Sequence, residues 1–256
     1  MALESQKEEL QLKNRIKDLA DQSYKQNIYT FSGFLGLSEQ DVFWKTESEL
    51  KYVSYALWGG SETSERKVLR FGSVQELGYE EEYPIVCVHI QPTAPKFAEK
   101  LSHRDYLGAL MNLGIERSTL GDIKTADKEA YLFCLESIAE YICVNLDKVR
   151  HTGVKCSVVT EMRDLPEDVP EPKEVLLPSL RLDVCLAKVY NQSRNDILEH
   201  FRAGKVYVNG RLCENNSRTL KDGDVVNLRG CGKFIYTGVK YETKKGKICA
   251  EVQIYG

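Results

Sequence analysis

The chain has 256 residues, 42% of them apolar, and 35 Lys+Arg against 38 Asp+Glu give a formal net charge of −3. That length suits two or three small globular domains, and no apolar run is long enough for a membrane span. Eight cysteines are scattered with no C-x-x-C pair, which reads as buried free thiols in a reducing cytosol and not as disulfides or a zinc site.

The first residues, MALESQKE, are too acidic and polar for a signal peptide, so a cytoplasmic protein is expected. Residues 4–24 predict an amphipathic helix with Leu12, Ile16 and Leu19 on one face. Residues 31–37, with two glycines, read as a loop or an approach to a helix, and residues 50–57 are apolar enough to be buried. Gly59-Gly60 has the makings of an anion cradle, but no Gly-Lys-Ser/Thr follows, so this is no P-loop and a plain turn is the simpler reading.

Residues 68–71 and 85–90 predict strands. Pro92 and Pro95 then lead into a helix over residues 97–113, short strands follow at 122–124 and 130–135, a helix is marked by Ile138, Ile142 and Leu146, and a strand by residues 154–159. This alternation predicts an α+β domain. His103-Arg104-Asp105 has the form of a kinase catalytic loop, but Leu110 stands where that loop needs Asn and no glycine-rich loop precedes it. A packed helix followed by a turn is expected there, with no catalytic residue. Tyr131 and Phe133 are the nearest candidates for base-stacking aromatics and read as core, which makes this domain a spacer or a protein-contact module. Residues 163–178 hold four of the seven prolines and five acidic residues, the composition of a semi-extended linker.

Residues 179–256 carry 14 Lys+Arg against 8 Asp+Glu, a balance of +6, so the rest of the chain carries −9. Such asymmetry is the electrostatic footprint of nucleic-acid binding at one end, although a solvated basic surface would give the same count. Leu182, Leu186 and Val189 make the apolar stripe of a helix starting near Arg181. Ser193 with Asp196 is the capping box of a second helix, which buries Ile197, Leu198 and Phe201 and ends at Gly204. Val206 and Val208 precede Asn209-Gly210, a hairpin signal. Another turn at residues 221–224 leads to a strand through Val225, Val226 and Leu228. Strands close the chain around Lys244-Lys245-Gly246-Lys247, a basic turn that is either a solvated tip or a phosphate contact. Arg194 lies in the first turn of its helix, where a cation opposes the helix dipole; this is tolerable on an exposed face and useful where the site meets phosphate. Arg181 is expected to approach it across the short turn, and both lie outside the apolar stripe.

The order R-L-D-x-x-L, then S-R at the next helix start, then G-K-V-x-V-N-G, then K-x-G-D-x-V-x-L-R-G resembles the RNA-binding domain first described in small-subunit ribosomal protein S-four, or alpha-L motif, over about 58 continuous residues. The resemblance implies two helices packed on a sheet whose shared basic edge grips structured RNA. Together with the other basic groups of the unit it gives the candidate set Arg181, Ser193, Arg194, Arg202, Lys205, Asn209, Gly210, Arg211, Arg229 and Lys233, of which Ser193 caps and Asn209 and Gly210 turn.

A second resemblance covers most of the chain. H-R-D-Y-L-G-A-L-M-x-L-G-I-x-R-x-x-L-G-D-I at residues 103–123, with Gly59-Gly60 followed by Glu65-Arg66, resembles the YlmH family of bacterial RNA-binding proteins, although Ser61 stands where an aromatic is more usual. It implies an α+β protein with a mixed helical N-terminal domain (1–75), a domain similar to an RNA-recognition motif (76–162), a linker (163–178) and the S-four-like domain (179–256). It also implies a non-enzymatic, monomeric partner of the ribosome that binds large-subunit rRNA and tRNA in quality control of stalled nascent chains, with no cofactor, metal or membrane. The rivals are an rRNA-modifying enzyme or its targeting subunit, and a cell-division interaction protein. The first would need a synthase Asp motif or a glycine-rich cofactor loop, and the sequence shows neither.

Overall fold

α1 (Ala2–Gln26) opens the fold. Its apolar positions follow helical spacing, so Ile16 and Ala20 are fully buried while Lys13 and Lys17 on the same helix both pair with Glu49. β1 (Thr30–Leu35) follows where a loop was expected. Gly33 does not break this strand because it serves a close approach, a recognised use of glycine within strands: a Cβ there would lie 2.8 Å from the Ser118 carbonyl oxygen. α2 (Leu37–Thr46), β2 (Tyr55–Trp58), β3 (Lys67–Phe71) and the single turn α3 (Val74–Leu77) complete this part. The strands form an antiparallel sheet in the order β1-β3-β2, packed on α1 and α2 through Phe43, Leu50, Leu69 and Phe71.

Next come β4 (Ile85–Pro92), α4 (His103–Asn112), β5 (Leu120–Ala126), β6 (Glu129–Leu135), α5 (Glu136–Asn145), β7 (Lys148–Val149) and β8 (Thr152–Val158). The sheet order is β5-β6-β4-β8-β7, antiparallel throughout. Val88, Ile90, Leu132 and Cys134 on one face meet Tyr106, Leu110, Ala139 and Ile142 from the helices. α4 begins later than the periodicity predicted. Pro95–Phe97 forms only a single tight turn, and the helix starts where Asp105 Oδ2 accepts the Ser102 N–H at 2.8 Å.

The remaining elements are β9 (Glu171–Leu177), α6 (Leu182–Val189), α7 (Arg194–Arg202), β10 (Val206–Val208), β11 (Arg211–Leu212), β12 (Val225–Leu228), β13 (Gly232–Glu242) and β14 (Ile248–Tyr255). They form a sheet in the order β11-β10-β12-β13-β14-β9, with both helices on one face over Val206, Val226, Phe234 and Val252. Part of the expected linker is therefore a strand. β9 pairs along β14 from Glu171↔Ile254 to Leu177↔Ile248, and it buries Val175 and Leu177. The acid- and proline-rich composition concealed this because only alternate residues of an edge strand face the core.

The computed structural model describes residues 2–159 and 170–255, so residues 163–169 of that linker lie outside the described part. The protein is a mixed α and β fold whose chain divides into two units, Met1–Glu167 and Asp168–Gly256. The residues expected as first and second domains share the first unit. Among the described residues no helix is long and apolar enough to cross a membrane. The cysteines are unpaired, and Cys231 is exposed where burial was expected. It lies on the turn between β12 and β13, outside any apolar face.

Candidate nucleic-acid interface

In the second unit α6 carries Leu182, Leu186 and Val189 into the core, as its spacing requires, and Asp183 with them: its side chain has no exposed surface. A buried carboxylate needs partners, and two arginines supply them. Arg181 donates from Nε to Oδ1 at 3.0 Å and from Nη2 to Oδ2 at 2.9 Å. Arg194 donates to Oδ2 from Nε at 3.0 Å and from Nη2 at 2.9 Å. The Val184 N–H adds a bond to Oδ1 at 3.0 Å. Burial pushes the carboxyl pKa up, but the hydrogen bonds and charges of Arg181 and Arg194 outweigh it and hold Asp183 below the usual carboxylate value. The two arginines thus meet as expected, through a residue the sequence reading had not singled out. That reading treated them as outside the core's concerns. The structure makes them counter-ions of a core residue, which also explains how a cation is tolerated in the first turn of α7.

Ser193 is a cap: its Oγ accepts the Asp196 N–H at 3.2 Å, and Asp196 Oδ2 accepts the Ser193 N–H at 3.2 Å. Asn209 and Gly210 form a hairpin turn with φ of 54° and 75°, the left-handed values of the I′ type. Asn209 also ties two loops together, donating from Nδ2 to Asp224 Oδ1 at 2.8 Å and accepting the Val225 N–H at 2.8 Å. Arg218, another residue not singled out, reaches the same buried Asp224 at 3.5 Å. Its loop abuts the start of α6, where the Asp183 N–H donates to the Asn216 carbonyl at 3.0 Å and the Leu182 N–H to that of Arg218 at 2.8 Å. The available signal was an acid within an apolar stretch, in R-L-D-V-C-L, followed eleven residues later by S-R.

Lys205 and Arg229 are neighbours on adjacent strand ends: the Arg229 N–H donates to the Lys205 carbonyl at 2.9 Å. Both side chains lie on exposed residues. Lys233 sits over the Tyr255 ring at 5.0 Å. Arg202 pairs with Glu199 on the outer face of α7, and Arg211 occupies the edge strand β11 opposite Val208. The candidate residues therefore fall into a carboxylate-anchored arginine pair, a lysine–arginine pair at the β10 and β12 ends, structural caps and turns, and separate surface cations.

The distinctive residues of the first unit form a joint. The Arg66 guanidinium donates to the carbonyls of Phe34 at 2.8 Å, Leu120 at 2.9 Å and Arg117 at 3.2 Å. Asp122 accepts the N–H groups of Glu65 at 2.5 Å and Arg66 at 3.2 Å. A Cβ at Gly60 would stand 2.3 Å from the Phe133 ring, and one at Gly121 would stand 2.6 Å from the Phe34 ring. Asp105 belongs to the α4 cap. Burial, with Arg117 nearby, lowers the pKa of His103. Phe133 is buried, as expected, whereas Tyr131 is only partly covered. Among the described residues no group of His, Cys, Asp and Glu is placed to hold a metal ion.

Residues 79–162 match a family model described as "Putative RNA-binding domain in YlmH". The chain is 27% identical over 233 residues to the "Ribosome-associated protein quality control protein P2" of Bacillus subtilis (strain 168), a match covering 90% of this chain and 88% of that protein. Among solved structures it is similar to "Cell division protein ylmH from Streptococcus pneumoniae" at 17% identity and a TM-score of 0.49, over 62% of this chain and 95% of that one. The domain match and a similarity that runs along nearly the whole chain place the protein in the YlmH family.

Proposed function

We propose that the protein acts by binding, not by catalysis, as a cytoplasmic, monomeric RNA-binding partner of the ribosome. It engages structured rRNA of the large subunit, together with tRNA, in quality control of stalled nascent chains. The relative's name supports the ribosomal setting, and the matched domain supports RNA binding. In this reading the second unit is the S-four-like RNA clamp and β4 to β8 form a domain similar to an RNA-recognition motif.

The carrying observation is the arginine pair on Asp183. Each guanidinium commits Nε and Nη2 to the buried carboxylate, and its Nη1 has no partner among the described residues. The pair is oriented before any ligand arrives, with exposure of 36% for the Arg181 side chain and 57% for Arg194. Fixed guanidinium groups suit phosphate better than mobile ones because less side-chain entropy is lost on binding. Lys205 and Arg229 extend the contact along the same unit.

The test is sedimentation with large ribosomal subunits across a salt series, comparing the wild type with Lys205→Ala/Arg229→Ala and with Arg194→Lys. Each lost phosphate contact is expected to weaken association and to reduce the log–log salt slope by roughly 0.7–0.9. Unchanged affinity and slope in all these folded variants would refute the assignment.

A further inference from the structure

The sheet of β4 to β8 has a second face, opposite α4 and α5, organised in rows across the strands. One row, Phe133 beside Cys87, is buried against Phe34 of β1 and Val68 of β3. The next row runs Lys124, Tyr131, His89 and Ser157 in direct register on β5, β6, β4 and β8. The row beyond places Gln91 beside Lys155. Here the cover ends: Ser157 and Lys155 are exposed, and Lys124, Tyr131, His89 and Gln91 are half-buried.

His89 is fixed on three sides. Its ring stacks on Tyr131 with centroids 4.3 Å apart and planes 6° from parallel. Nε2 lies 2.7 Å from Glu129 Oε2, and Nδ1 lies 2.6 Å from Gln91 Nε2. The remaining ring face is turned toward β8, where the register partner is the small, exposed Ser157. A histidine serving only the core would be covered on both faces. This one leaves a slot bounded by a planar ring and a hydroxymethyl group, with a lysine to either side of the row.

We propose that this slot takes one unpaired RNA base, stacked on His89 above Ser157, with Lys155 and Lys124 near the flanking phosphates. The inference rests on the RNA-binding reading and deepens it, because it assigns the first unit a single-strand contact instead of the spacer role expected from sequence. A flat ring selects a flat ligand, and stacking of this kind tolerates any base. Exposed bases on single strands are what four-stranded sheets of this topology can read. Glu129 is already engaged by His89, so the free charge around the slot is positive and favours a polyanion over an acidic or neutral peptide.

The test uses the full chain and single-stranded RNA hexamers carrying 5-iodouracil, with anisotropy for affinity and ultraviolet cross-linking followed by peptide mapping. Cross-links are expected on the β4 or β6 peptides, absent with a duplex of the same sequence. Ser157→Trp, which fills the slot from an exposed position, should abolish them, and His89→Gln should weaken hexamer binding about tenfold. Lys155→Glu, an exposed substitution away from the stacked rings, should weaken binding as well. Cross-links confined to residues 171–255, cross-linking undiminished in Ser157→Trp, or no hexamer binding by the folded chain would each overturn the proposal. So would capture of a peptide at the slot in place of RNA. Loss of large-subunit association with hexamer cross-links intact would instead count against the ribosomal reading alone.

Discussion

Arg194, in the first turn of α7, places both Nε and Nη2 within 3.0 Å of a single oxygen of Asp183 in α6. This bond joins the two helices across their turn and fixes the direction of the guanidinium. It makes the same side chain a part of the fold and a part of the proposed contact surface.

One consequence is that removing Arg181 and Arg194 together should unfold the helix pair before it informs on RNA binding. A buried carboxylate stripped of its partners costs about 3–5 kcal/mol. Arg181→Ala/Arg194→Ala is expected to lose protection of the α6 and α7 amides in hydrogen exchange. Arg194→Lys should keep most of that protection and still weaken RNA association, because an ammonium cannot reproduce the fork. Full protection in the double variant would show that Asp183 does not depend on the pair.

The pH dependence has a definite sign. The pKa of Asp183 is held below its model value of 3.8 in the folded chain. The unfolded chain therefore takes up the proton first as pH falls, and the stabilisation is present above about pH 4 and lost as pH drops through the folded value. In hydrogen exchange of α6, the advantage of wild type over Asp183→Asn should be constant from pH 7 to about 5 and shrink below about 4. A constant difference down to pH 3 would contradict this.

The boundary of the second unit is also testable. Because β9 pairs along β14 and buries Val175 and Leu177, a fragment of residues 168–256 should fold and bind structured RNA. A fragment of residues 179–256, cut at the composition boundary, exposes the β14 edge and should aggregate or show little cooperative unfolding by circular dichroism. Equal stability of the two fragments would mean that β9 contributes nothing.

In the first unit Gly60→Ala should loosen the joint between its two sheets. Its φ of +95° and the 2.3 Å approach to Phe133 leave no room for a methyl group. A loss of about 1–3 kcal/mol is expected, as for overpacked cores. Both tryptophans of the chain, Trp44 and Trp58, lie in this unit, so denaturation followed by tryptophan fluorescence reports on it selectively. An unchanged midpoint would show that the ring moves aside freely.

Much of the second unit was legible because its signals are local. The Ser193–Asp196 box, the Asn209-Gly210 turn and the Leu182, Leu186 and Val189 stripe each depend on residues a few positions apart, and backbone sterics and helix period alone dictate their outcome. The charge asymmetry was likewise plain from counting. What only the tertiary structure decided are the long-range pairings. Glu171–Leu177 is a strand because β14 offers it an edge, although its own composition resembles a linker. β1 is a strand because Gly33 must pass Ser118. Asp183 is the centre of the arginine pair because burial, which no residue type declares, leaves its carboxylate with two cations as partners. His89 joins Tyr131 because register sets residues 42 positions apart side by side, and periodicity within either strand carries no information about its neighbour.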